Sequence, residues 1–559
     1  MGIPSYFSQV IRKYSKILRN TKFFIDNGIT FTHLYMDCNS IIYDAYHAIS
    51  STYVPDERES FEQTIIVDVA KRIDEYINMI QPSEVVYIGF DGVVPLAKMR
   101  QQRMRRHKTQ FLSSINFTDS PPKPKWNTCN ITPGTPFMDK LSSYMYSYFN
   151  NTEKHYNVNK IIVSCSDEPG EGEQKMFNHV RKNEMKNANV TVYGLDADLI
   201  MLSILHLKYC NNIYIFREAP EFLKSSINIA ANIKDNEPYF LDISHLSNSI
   251  VIEMDCKYHQ PNRAEDYILM CFFLGNDFLP HIPALNIRTN GLTVLMDVYR
   301  KHIGNYNNRT LISLETHDID WKYLTIFISE LAKLEEGLMK QEYYRREKAE
   351  KQYYTKKITS DKELSVMRMP LVLRMCEKYV CVLEEGWRLR YSRVCGDGVV
   401  CSYVVVMSWL WRYYVGEVSS DCVAYSGSMS PLLCELSEVC GRWCSELSEL
   451  SEVCGRWCSE SGVLMCSGCV SGEECKLCKM EVEVKLKYVL PSSAYKECGV
   501  SECIVSYEKE LCEDSCSGLL CNYEWAFNDY FWECVPRLKK ISLETLEKCN
   551  ERIKVNKMK

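Results

Sequence analysis

Val192-Tyr-Gly-Leu-Asp-Ala-Asp-Leu-Ile-Met-Leu-Ser-Ile-Leu205 decides how this chain is read. An apolar run of strand character ends at Asp196, Asp198 follows two residues later, and a helical apolar pattern then begins. Acids at the carboxyl end of a buried strand stand where open α/β sheets bind ligands. Their oxygens also suit hard cations such as Mg²⁺ or Mn²⁺. In the competing reading Asp198 caps the helix and Asp196 closes the turn.

Recurrence favours the ligand reading. His33–Asp37 reads as a short strand ending in an acid, with helix Ile41–Ile49 behind it. Glu84–Phe90 is a strand ending in Asp91, and Lys160–Cys165 leads into Asp167–Glu173 and a helix to about Arg181. Ile213–Phe216 and Tyr239–Ile243 read as further strands, Val10–Leu18 as a helix and Lys123–Pro136 as a loop. Helix Glu265–Phe273 empties into a loop carrying Asp277. Strands alternating with helices imply an α/β fold with a doubly wound, mostly parallel sheet. Asp37, Asp91, Glu171, Glu173, Asp196, Asp198 and Asp277 would then meet at one sheet edge. Like charges so placed repel unless cations neutralise them, and two divalent ions at such a site promote in-line phosphodiester displacement.

The 559 residues carry a net charge of -6, so nucleic-acid binding would rest on a local basic patch. One exists: Lys98–Lys108 contains six Lys or Arg and no acid. On a helix of about Pro95–Leu112, Lys98, Gln102, Arg105 and Arg106 share a side that suits a terminal phosphate. No run of 18 apolar residues predicts a membrane span, and the N-terminus has no signal-type apolar core, so an intracellular, cytoplasmic protein is expected.

The later chain differs in character. Of 27 cysteines only 6 precede Cys376, and residues 376–520 contain no Asn, Gln, His, Thr or Phe. Glu435–Glu446 recurs unchanged as Glu449–Glu460, a local duplication too short for a solenoid. Cys466, Cys469, Cys475 and Cys478 offer four thiols to a structural Zn²⁺, although their spacing is tighter than usual and biased composition explains it as readily.

Six ordered motifs within residues 1–305 resemble the Xrn-type 5′→3′ exoribonucleases. They are Met-Gly-Ile-Pro-x-x-Phe at the start, Met36–Ile42, Phe90–Arg103, Pro169–Lys175, Tyr193–Leu202 and Leu274–His281. Tyr530–Pro536 is similar to viral members. The resemblance implies a PIN/FEN-like nuclease core over 1–305 that removes nucleotides, with Mg²⁺ or Mn²⁺, from single-stranded RNA bearing a 5′-monophosphate. It implies that the seven acids named above ligate two ions, that Lys98, Gln102, Arg105 and Arg106 form the 5′-phosphate pocket, and that decapping or decay factors are partners. The rest divides into a helical connector (306–375), a Cys-rich, compositionally biased helical region (376–520) and a C-terminal helical segment (521–559).

The chain departs from the family's pattern in three places. Leu96 replaces an arginine, and Tyr43 replaces a base-stacking histidine whose role its ring can keep. Ser420, Asp421 and Val423 stand where the family has a Trp-rich motif whose first tryptophan stacks on the terminal base. These losses motivate the alternatives of a catalytically weakened or inactive RNA-binding or scaffold protein, and of a related DNA nuclease.

Overall fold

The computed structural model describes residues 2–114, 125–183, 185–194, 196–218, 227, 237–355, 362–396, 398–417, 423–442 and 523–536. Seven strands, β1 (Leu18–Arg19), β2 (His33–Asp37), β3 (Val85–Gly89), β4 (Lys160–Ser164), β5 (Asn189–Tyr193), β6 (Asn212–Arg217) and β7 (Tyr239–Asp242), form one sheet. Its order is β1-β7-β6-β5-β2-β3-β4. Strands β6, β5, β2, β3 and β4 are mutually parallel, β7 runs antiparallel to β6, and β1 antiparallel to β7. The chain moves outward from β2 to β4 and then returns to place β5 on the other side of β2. The switch point of this doubly wound sheet therefore lies between β2 and β5, where a crevice opens at the strands' carboxyl ends.

Period-two alternation explains why these segments are strands. Tyr35, Tyr87, Val190, Val192, Ile213, Ile215 and Leu241 enter the core on one face. Leu34, Met36, Val86, Ile88, Tyr193, Tyr214 and Phe240 enter the core on the other. Helices Tyr6–Lys13, Gly172–Lys182, Asp198–His206 and Ile243–Met254 pack on the first face; Asn39–Ile49, Arg58–Ile80 and Pro136–Tyr148 pack on the second.

The expected strands appear within a few residues, with informative differences. β5 stops at Tyr193, before the acids, because the chain turns at Gly194. A Cβ on Gly194 would meet Leu199 Cδ1 at 2.1 Å. The helix expected over Val10–Leu18 ends at Lys13, and Leu18–Arg19 pair instead with β7, whose edge would otherwise be open. Helices Arg58–Ile80 and Pro136–Tyr148 are additional to those expected. The long helix spans Trp321–Thr355, and Leu324, Phe327, Ile328 and Leu331 embed its first half in the core.

Of residues 376–520, helices Met375–Val380, Trp387–Cys395 and Val399–Val415 and a helical stretch 433–442 are described. Among the described residues no single helix is long and apolar enough to cross a membrane. Ser420, Asp421, the repeat's second copy and the four zinc-candidate cysteines lie outside the described residues. The segment expected to be helical near the end is not so where it is described. Residues 523–536 form a two-stranded pair, β8 (Tyr523–Glu524) with β9 (Val535–Pro536), around a 3₁₀ turn at Phe531–Glu533.

Buried charges lock that segment to the helices. Arg346, fully buried, donates from Nε to both Glu377 oxygens (2.9 Å each) and from Nη1 to Asn528 O (2.9 Å) and Asp529 Oδ1 (3.1 Å). Arg374 adds a 2.7 Å bond to Glu377, which also accepts Phe527 N–H at 2.8 Å. Breaking a buried pair leaves an uncompensated charge and costs about 3–5 kcal/mol. Arg346→Met is accordingly expected to lower the unfolding free energy in a urea titration by that amount. A loss below about 1 kcal/mol, the range of an exposed pair, would show that the network is not a fastening.

Candidate active site

Each sequence-selected acid reaches the crevice by a local device. Asp37 ends β2, and Gly172 lets the following helix approach so closely that a Cβ there would stand 2.7 Å from Asp37 Oδ1. Asp91 joins neighbouring loops: its N–H donates to Asn39 Oδ1 (3.1 Å) and its Oδ1 accepts Gly172 N–H (2.8 Å). Glu171 and Glu173 sit at the first turn of Gly172–Lys182. Lys175 ties the β3 and β4 loops by donating to Phe90 O (2.9 Å) and Cys165 O (2.7 Å). Asp277 is held by an Asx turn in which Asn276 Oδ1 accepts the N–H groups of Phe278 and Leu279 (2.9 Å each). Asp198 is buried at the first helical position, one residue past the N-cap at Ala197, and its Oδ1 has no hydrogen-bond partner.

The acids feel one another's charge. Burial first, then the charges of Asp91 and Asp196, push Asp37 well above the ordinary carboxylate range. Burial raises Glu173 likewise, with Lys98 opposing and Glu171, Asp198 and Asp37 adding to the rise. Asp198 is pushed up to about 7 by burial and by the Asp277 charge. Inside the cluster, Lys98 Nζ pairs with Glu171 Oε2 at 2.7 Å and Asp277 Oδ2 at 3.1 Å. Burial works against that ammonium, yet Glu171, Asp277, Glu173 and Asp198 hold its pKa well above the usual lysine value.

The donor set is all oxygen, and Asp37 Oδ1 and Asp198 Oδ1 are buried without a hydrogen-bond partner. That combination fits a hard divalent cation. Among the described residues no three such groups already converge on a common point, so binding would require the carboxylates to close in as Lys98 is displaced.

The basic residues separate into two groups. Lys98, expected in the 5′-phosphate pocket, is turned toward the acids, where it pairs with Glu171 and Asp277. Arg105 lies in the field of Tyr43, Asp196, Asp277 and Asp91, which together outweigh its burial and raise its pKa. Arg106 also lies beside Tyr43, and its buried Nη1 has no hydrogen-bond partner. Gln102 is buried nearby on the same helix. Arg105, Asp196 and Asp277 line a cleft of about 1010 Å³.

The sequence reading assigned no role to Tyr413, whose hydroxyl donates to Glu171 Oε1. Its ring stacks on Trp409 at 5.0 Å, and Phe278 packs edge-on to both. The dense aromatic run over Tyr403–Gly416 was the available signal. Gly2 is a second omission: a Cβ there would meet Asp198 Oδ1 at 2.1 Å, so the amino-terminal loop presses on the cluster.

An acidic, all-oxygen pocket at the switch point of a doubly wound sheet, with guanidinium groups alongside, defines a nuclease-type α/β core. Residues 1–219 match the XRN 5′-3′ exonuclease N-terminus and residues 257–378 the Xrn1 helical domain. The chain belongs to the Xrn 5′-3′ exonuclease family. It is 31% identical over 382 residues to 5′-3′ exoribonuclease 2 of Neurospora crassa, covering 54% of this chain and 35% of that one. Against 5′-3′ exoribonuclease 1 of Schizosaccharomyces pombe it is 31% identical over 374 residues, covering 61% and 27%. Against 5′-3′ exoribonuclease 2 of Emericella nidulans it is 29% identical over 421 residues, covering 61% and 40%. The chain thus spans about a third of the length of these relatives.

A divalent cation bound by these carboxylates would compete with Lys98 for Glu171 and Asp277. Lys98→Met is expected to lower the melting temperature measured in chelator, because the acids lose their internal counter-charge. It should also enlarge the gain in melting temperature on adding Mg²⁺, because the cation no longer displaces an ammonium. An Mg²⁺ gain equal to that of the unsubstituted protein would contradict this competition.

Proposed function

We propose that this protein is a divalent-cation-dependent 5′→3′ exoribonuclease that hydrolyses single-stranded RNA from a 5′-monophosphate. The observation that carries the proposal is the mutual electrostatic influence of seven acids, from separate parts of the chain, beside Arg105 and Arg106, whose buried Nη1 has no hydrogen-bond partner. Family membership and the names of the relatives support the same reading.

In this reading Asp37, Asp91, Glu171, Glu173, Asp196, Asp198 and Asp277 hold two Mg²⁺ or Mn²⁺ ions. Bound there, such ions supply Lewis-acid activation of water and neutralise charge on the reacting phosphate. The protein's own groups do the positioning. Arg105 and Arg106, with Gln102, bind the terminal phosphate through charge-assisted hydrogen bonds. Lys98 balances the charges of Glu171 and Asp277. Tyr43, adjoining both arginines, stacks on the first base. A 5′-hydroxyl end would leave buried guanidinium donors unpaired, and sites built to hydrogen-bond a group discriminate strongly against its absence.

The test is release of mononucleotides from 5′-monophosphorylated RNA. Release is expected with Mg²⁺, none in chelator, and 5′-hydroxyl RNA should be at least about 100-fold slower. Asp196→Ala should reduce the rate more than about 100-fold. Binding without mononucleotide release at any Mg²⁺ or Mn²⁺ concentration would instead identify an RNA-binding or scaffold protein. Equal turnover of DNA of the same sequence would overturn the substrate class.

A further inference from the structure

Trp532 is the only exposed tryptophan among the described residues, with 46% of its surface accessible. An indole left in water forgoes a large burial gain, so an exposed ring held in a fixed geometry asks for a partner. Trp532 is so held. One face stacks on Tyr530 with ring centres 4.2 Å apart and planes 16° from parallel. The Tyr530 ring is flanked by Arg368, whose guanidinium carbon stands 4.0 Å from its centre, and by Arg288 at 5.1 Å. The Trp532 carbonyl accepts Lys108 Nζ at 2.6 Å, and Lys108 lies on the same helix as Arg105. Next along the chain, Glu533 pairs with Arg288 and accepts Asp529 N–H at 2.8 Å, closing the turn. The buried Arg346 network then anchors the whole segment.

Position supplies the second observation. Trp532 and Tyr530 line the same cleft as Arg105, Asp196 and Asp277. Lys108 and Arg288 also line it, so cationic side chains flank the aromatic pair where a polyanion would pass. An aromatic face beside cationic groups is the combination that binds single-stranded nucleic acid without regard to sequence.

We propose that the stacked Tyr530–Trp532 pair is a second base-binding platform, on which a nucleobase of the RNA behind the terminal nucleotide stacks against the open face of Trp532. The inference rests on the exoribonuclease reading, because it takes the ligand to be RNA whose end lies among the acids. The pair is part of a segment already ordered by Arg346 and Lys108, so little freedom is lost when a base adds to it.

The test uses the full chain in chelator, where binding is read without turnover. A short 5′-phosphorylated oligoribonucleotide carries 2-aminopurine at successive positions. Stacking on Trp532 is expected to quench the probe at a position behind the first nucleotide. Trp532→Ala is expected to abolish that quench and weaken binding by about 5- to 150-fold, the range of one base–aromatic stack. Trp532→Phe, which keeps a ring, should recover much of both, and the melting curves of both variants report whether they fold. Unchanged affinity and unchanged quenching in folded Trp532→Ala would overturn the platform, even where the unsubstituted protein still degrades RNA. Unquenched probe at every position in the unsubstituted complex would overturn it as well. If the unsubstituted protein neither binds nor degrades the RNA, the exoribonuclease reading itself fails, which is a separate result.

Discussion

The ammonium of Lys98, lodged between Glu171 and Asp277, is the contact on which the site depends. Acids from separate parts of the chain act on one another's charge at the sheet's switch point, Glu171, Glu173 and Asp198 among them buried, and burial penalises the charged forms of Asp37, Glu171, Glu173 and Asp198. Without an internal cation the acids would protonate or splay apart. With one, the pocket keeps its form while two oxygens, on Asp37 and Asp198, remain unpaired. A lysine can be displaced by a divalent ion because its flexible stem lets the charge move away without disturbing the backbone.

The backbone does the remaining work by bringing chain segments unusually close. Gly172 against Asp37, Gly194 against Leu199 and Gly2 against Asp198 are positions where any side chain would push an acid or its support out of place. Asn39, Lys175 and Asn276 fix the loops by side chain-to-backbone hydrogen bonds rather than by apolar packing. The carboxylates can therefore be crowded together while the two cores on either face of the sheet remain predominantly apolar.

Much of this was legible in the sequence because strand-end acids announce themselves twice, by the apolar run before them and by the helix after. β2, β3 and β4 fall where the apolar runs put them, and the acids that follow them act on one another's charge. The antiparallel placement of β7 was not legible, since nothing in Tyr239–Asp242 encodes direction. Arg58–Ile80 carries apolar residues at helical spacing from Phe61 to Ile80, and weighing that period would have found it. Lys98 shares a helical side with Arg105 and Arg106, but helical spacing cannot say that its longer reach ends among acids contributed by other loops. The two-stranded shape of residues 523–536 depends on pairing with Arg345 and Arg346 from the long helix and with Arg288 from a distant turn, which no local pattern reveals.

The central claim is that these acids form a site for two divalent ions. Titration of the metal-free protein with Mn²⁺, followed by electron paramagnetic resonance, tests it most directly. The account predicts that free hexaaqua Mn²⁺ stays low until two ions are bound per chain, with a spectrum showing magnetic coupling between neighbouring ions, and that Mg²⁺ displaces both. Mn²⁺ remaining free from the first addition, or binding that persists when Asp37 and Asp198 are both changed to asparagine, would contradict it.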